Sequence, residues 1–153
     1  MEDVNQQLFF SLLQAGLWNK EVRSQIISHV DWTEVYKIAS EQSVVGLVAA
    51  GLDRFKKADV QESIVPQSVA LTFASEVLQL EQRNTAMNTF LGVLIKKLRG
   101  SDIYSLLLKG QGVAQYYEKP LWRACGDIDL FLSAENYVKA KDYLSKIAIV
   151  AEK

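Results

Sequence analysis

Between Gln67 and Leu98 the chain carries no proline and only one glycine, Gly92. Within that stretch Val69, Phe73, Val77, Leu80, Met87, Leu91, Leu94 and Leu98 keep returning to one side. Helical spacing over such a length predicts one long helix or two nearly collinear ones, with a continuous apolar face. Pro66 pre-sets the first turn, and Gly100 ends the run. No other stretch restricts the fold as tightly.

The residues before it also read as helices. Leu8, Phe9, Leu12, Leu13 and Leu17 form one apolar stripe. Asn19 is a candidate cap for a segment in which Val22, Ile26, Ile27 and Val30 share a face. Asp31-Trp32-Thr33-Glu34 has the form of a capping box, which would start a helix carrying Val35, Tyr36 and Ala39 inward. Val44 to Phe55 reads as a further short helix, loosened by Gly46 and Gly51. Lys56 to Pro66 is polar and reads as a connection.

After Gly100 the pattern changes. Ile103 to Leu108 is a continuous apolar run and predicts a buried strand. Gln111 to Tyr117 predicts a short helix, ended by Glu118-Lys119-Pro120. Asp127 to Leu132 predicts a second strand, and Ser133 caps a helix from Ala134 to Ile147 with Tyr137, Ala140, Tyr143 and Leu144 inward. Ile147 to Val150 could begin a third strand. The expected fold is therefore α+β: a helical region over residues 1–100, then the start of an α/β sheet over 101–153.

Bulk properties narrow the function classes. Seventeen basic residues face eighteen acidic ones, so net charge argues neither for nucleic acid nor for a membrane surface. Cys125 is the one cysteine and His29 the one histidine. Together they exclude an intramolecular disulfide and a histidine-based triad within the chain, and leave a structural zinc site little support. The acidic, polar start Met1-Glu2-Asp3-Val4-Asn5 does not resemble a secretory signal, and charge interrupts the apolar runs well short of a membrane span. A cytoplasmic protein is expected.

Asp127 and Asp129 carry the candidate chemistry. Two residues apart on a strand, they project to one side while Ile128 and Leu130 project to the other. Paired carboxylates repel each other and lose hydration, and a divalent cation between them relieves both costs. Mg²⁺ takes such oxygen ligands together with substrate phosphates. Upstream, Leu108-Lys109-Gly110-Gln111-Gly112 follows a strand and opens a helix, where glycine lets the backbone approach a phosphate and free amides face it. Lys109 or Arg123 could neutralise phosphate charge.

Leu107-Leu108-Lys109-Gly110, Ala114, Tyr116-Tyr117, Pro120, Arg123 and Gly126-Asp127-Ile128-Asp129-Leu130-Phe131 together resemble the bacterial nucleotidyltransferase-like family of the polymerase-beta superfamily. The preceding helices look like the leading helical region of the same family. The resemblance implies a nucleotidyltransferase-type sheet, with Asp127 and Asp129 as catalytic metal ligands in a two-metal Mg²⁺ site. It implies that Gly110, flanked by Lys109 and Gln111, lies by the triphosphate of an NTP substrate, with Arg123 nearby. The acceptor hydroxyl is open, a protein or small molecule being favoured over nucleic acid.

Two departures from the family pattern stand out. Gly110-Gln111 replaces the usual glycine-serine or glycine-glycine pair, with a longer gap to Asp127. The third carboxylate expected on a later strand has only Glu135, Asp142 and Glu152 as candidates, the first two on a predicted helix. The chain thus reads as a truncated portion or a degenerate relative, and a non-catalytic binding module is the alternative. An incomplete sheet would leave an edge able to pair with a second copy. Other aromatics and charges have simpler readings: Tyr116, Tyr117 and Trp122 as packing rather than base stacking, Cys125 as a small buried residue, and Lys96-Lys97-Arg99 and Lys56-Lys57 as solvated faces. Arg123 could instead pair with Asp127 or Asp129.

Overall fold

The computed structural model describes residues 3–18, 20, 22, 29–57 and 65–146. In chain order these form α1 (Val4–Trp18), α2 (Trp32–Glu41), α3 (Val45–Lys57), α4 (Gln67–Arg99), β1 (Leu106–Leu107), α5 (Gln111–Ala114), a 3₁₀ turn (Pro120–Trp122), β2 (Leu130–Phe131) and α6 (Ala134–Ser145). The α+β class holds, with helix dominant and β1 and β2 pairing antiparallel.

Helix α4 is one uninterrupted helix of 33 residues, and Gly100 caps it by donating its N–H to the Lys96 and Leu98 carbonyls. Its two ends serve different cores. Phe73 and Val77 join Leu8, Leu12, Val35 and Val48 in a cluster built with α1, α2 and α3. At the far end Leu98 packs with Ile103 and Ala140, bordered by Leu94, Leu130, Leu132 and Tyr143. A cavity of about 480 Å³ opens between α3 and α4, where Leu52, Phe73 and Val77 meet Asp53, Glu81 and Trp122.

The glycines read as loosening α3 instead let it pack closely. A Cβ on Gly51 would lie 2.1 Å from the Leu12 carbonyl oxygen, and one on Gly16 would lie 2.0 Å from that of Leu47. Helices α1 and α3 therefore meet backbone to backbone. Gly46 does the same for the 3₁₀ turn, where a Cβ would stand 1.9 Å from the Trp122 oxygen.

Other local expectations are corrected in detail. Asp31 Oδ1 accepts from the Thr33 and Glu34 N–H groups at 2.9 and 3.3 Å, as an N-cap does. The reciprocal half of the box is missing: the Asp31 N–H donates to Asn5 Oδ1 at 2.9 Å, and Glu34 faces Lys37 instead. Ser133 caps α6 through the Asn136 N–H, but Tyr137 is exposed rather than inward. Both predicted strands shrink to two residues. The Ile103–Leu108 run is not buried throughout: Ile103 is, while Leu106 and Leu108 are exposed. The predicted helix over Gln111–Tyr117 closes after Ala114. Asn19, Ile26, Ile27 and the proposed strand at 147–150 lie outside the described residues.

Candidate functional site

Lys109-Gly110-Gln111-Gly112 forms a tight turn, closed by the Gly112 N–H donating to the Lys109 carbonyl at 3.3 Å. Gly110 has φ 64° and ψ −116°. These are the dihedrals of the first central position of a type II′ turn, which favours glycine because a Cβ would clash with the backbone. The turn presses on the acidic segment: a Cβ on Gly110 would stand 3.1 Å from the Asp127 carbonyl oxygen. The adjoining ladder fixes this approach, with Leu107 opposite Leu130 and the Leu108 N–H donating to the Asp129 carbonyl at 3.0 Å. Helix α5 is a single turn of four residues, so the dipole expected of it is small.

Side-chain alternation places Asp129 opposite the core. Leu130 and Leu132 pack on the cluster around Leu98, and Phe131 between them is exposed. Asp129 shares the parity of Phe131, and so does Asp127, although the Asp127–Asp129 backbone is outside the regular strand. Asp127 is exposed and forms no ion pair among the described residues. Asp129 differs. Its Oδ2 is shut off from solvent and accepts no hydrogen bond from the described residues, while Lys109 Nζ stands 3.3 Å away. The ammonium is thus at ion-pair distance but off the line a hydrogen bond needs.

A carboxylate oxygen stripped of water and of hydrogen-bond donors is costly unless a positive charge faces it. Here a flexible, mostly exposed lysine provides that charge. Carboxylate oxygens such as those of Asp127 and Asp129 are the ligand type that a hard cation such as Mg²⁺ takes. Among the described residues no group of three histidine, cysteine, aspartate or glutamate side chains is placed to hold a metal. Glu135 and Asp142 spend their charge on Lys139 and Lys146 along the exposed face of α6. The Lys139 hydrogen bond holds the Glu135 carboxyl below its ordinary pKa.

Arg123 does not pair with either aspartate. Its Nη1 donates to the Gly110 carbonyl at 3.3 Å and contacts Cys125 Sγ at 3.0 Å, and its guanidinium carbon lies 5.9 Å from the centre of the Tyr117 ring. Partial burial opposes its charge, but the contacts with Cys125 and Tyr117 outweigh this and raise its pKa. Arg123 thus braces the glycine turn. Cys125 is buried, as its small size suggests, and Tyr116 is exposed rather than packed.

Sequence reasoning missed what holds these pieces. Trp122 Nε1 donates to Glu81 Oε1 at 2.6 Å, and Lys119 lies over the Trp122 ring while pairing with Asp53 at 2.9 Å. Arg54 pairs with Glu118. Asn84, 1 % exposed, donates to the Leu121 and Arg123 carbonyls at 2.7 and 2.8 Å. Gln111 turns its side chain inward, where Nε2 donates to Asn84 Oδ1 at 3.0 Å. The signal for Asn84 was present: it is the polar residue between Leu80 and Met87 on the apolar stripe of α4.

The molecule is thus an α+β protein in which a glycine turn abuts an Asp-x-Asp segment, with a lysine and an arginine beside them. The chain belongs to the family of uncharacterised nucleotidyltransferases, whose model matches residues 28–153. Comparison with curated proteins and with solved structures gave no match.

Proposed function

We propose that this chain carries the phosphate- and metal-binding part of a nucleotidyltransferase that uses an NTP and an acceptor hydroxyl. Membership of the family supports nucleotidyl transfer as the reaction class. The observation that carries the site is Asp129 Oδ2, shut off from solvent without a hydrogen bond among the described residues and facing the Lys109 ammonium, beside the Gly110 turn.

In this reading Asp127 and Asp129 hold Mg²⁺, which when bound supplies positive charge against the triphosphate. Lys109, mostly exposed, leaves Asp129 and turns its charge to the phosphates. Gly110 keeps the turn free of side chain so that phosphate oxygens can approach the backbone. Arg123 keeps that turn in place by bonding its carbonyl. The acceptor oxygen then bonds to the α-phosphorus as the α–β phosphoanhydride bond breaks. Pyrophosphate departs, and the hydroxyl proton passes to solvent. Residues 101–153 act as the start of the nucleotidyltransferase-type domain, and the helical region 1–100 as the body on which it rests.

The test is calorimetric titration of ATP and GTP with and without Mg²⁺. Magnesium-dependent binding that disappears in the Asp127→Asn, Asp129→Asn double variant is expected. Binding that survives in that variant would favour the second reading, a non-catalytic module. That reading draws on the absence of a third carboxylate at the site among the described residues.

A further inference from the structure

We infer that Asn84 is a positioning residue for the phosphate-binding turn, acting from the middle of α4 through Gln111 and the backbone of Arg123; its catalytic meaning rests on the nucleotidyltransferase reading above. Asparagine is a poor helix former, and a buried amide is costly unless every polar atom finds a partner. Residues 80, 87 and 91 of the same stripe are Leu, Met and Leu, so packing alone would favour an apolar side chain at 84. Asn84 is nevertheless 1 % exposed, and its amide is fully engaged. Both Nδ2 protons go to the backbone carbonyls of Leu121 and Arg123, at 2.7 and 2.8 Å. Its Oδ1 accepts from Gln111 Nε2 at 3.0 Å, and the same Nε2 contacts Met87 Sδ at 3.1 Å.

These bonds close a ring. Asn84 holds the Arg123 backbone, the Arg123 side chain holds the Gly110 carbonyl, Gly110 is followed by Gln111, and Gln111 returns to Asn84. The turn and the arginine are 13 residues apart in sequence. The guanidinium that bonds the Gly110 carbonyl is long and flexible. A rigid helix that grips both sides sets their separation more firmly than the guanidinium could alone. Both ends of the amide are required: an acceptor faces Gln111 and donors face the carbonyls. Aspartate, the same shape with no donors, would set one carboxylate oxygen against both carbonyl oxygens, while the other still faced Gln111. Leucine would leave both carbonyls without these donors and Gln111 with only its contact to Met87 Sδ.

The experiment uses Asn84→Leu, Asn84→Asp and Gln111→Met in the full chain, with two readouts. The first is amide hydrogen exchange without ligand. Exchange at 108–115 and 119–125 is expected to quicken at least tenfold while α1 to α3 stay as in the parent protein. Exchange that is unchanged at those segments, or that rises equally everywhere, overturns the inference. The second is affinity for Mn²⁺ alone and for Mg²⁺ with ATP. Nucleotide affinity is expected to fall more than tenfold, with Mn²⁺ affinity held within threefold, since the side chains of Asp127 and Asp129 form none of the hydrogen bonds of the ring. Unchanged nucleotide affinity in a variant whose turn has loosened also overturns it. Should Asn84→Leu fail to fold, Gln111→Met, which keeps both bonds to the carbonyls, decides the matter. Should the parent protein bind no nucleotide, the proposed function fails by itself, and the exchange measurement still decides whether Asn84 sets the turn.

Discussion

At the scale of single residues, Gly110 and Asp129 bear the greatest constraint. Gly110 combines a positive φ with a backbone oxygen 3.1 Å from where a Cβ would sit. Gly110→Ala is expected to destabilise the fold by about 1–3 kcal/mol, read by urea denaturation, because the turn must open or Asp127 must shift. It should also weaken nucleotide binding more than an equally destabilising change in α1 does. That Gly110 sits in a turn was legible in advance, because a glycine between an apolar run and a helical segment is a local pattern; its approach to Asp127 was not. The burial of Asp129 Oδ2 was not, because it depends on Lys109 and on the ladder that brings residues 108 and 129 together.

At the scale of elements, the glycines separate into two kinds. Gly16, Gly46 and Gly51 are places where backbones touch, and Gly92 is a helix position with nothing within 4 Å of its Cβ site. Gly51→Ala is expected to cost at least about 2 kcal/mol, because the methyl group would meet a carbonyl of α1 that cannot move alone. Gly92→Ala should instead stabilise α4 by about 0.5–1 kcal/mol, since alanine loses less backbone entropy in a helix. Thermal and urea melts of the two variants should move in opposite directions. In the sequence these glycines look alike, and each reads as a weak point in a helix. The strands were over-read for a related reason. An apolar run has the composition of a buried strand, yet Leu106 and Leu108 remain exposed because no described element covers that side of the β1–β2 pair.

At the scale of the whole molecule, α4 connects two separate apolar clusters. The one around Leu98, Ile103 and Ala140 is small, so each member matters. Leu98, 1 % exposed, touches the elements that carry β2 and α6. Leu98→Ala is expected to cost about 2–4 kcal/mol. Its hydrogen-exchange signature should concentrate in β2 and α6 and spare α1 to α3. Between the clusters, the polar contacts of Glu81 and Asn84 attach residues 121–123 to the helix. No helix among the described residues is long and apolar enough to cross a membrane.

Helix α4, its start after Pro66, its end at Gly100, the caps at Asp31 and Ser133 and the α+β class could all be read from neighbouring residues. Periodicity and capping are short-range properties, set by side chains a turn apart. Tertiary structure alone decided that Asn84 and Gln111 would face each other, that Arg123 would hold Gly110 rather than an aspartate, and that one oxygen of Asp129 would lose its water. Those outcomes join residues 13 to 27 positions apart, and the desolvation that gives them their energy exists only once distant segments have packed.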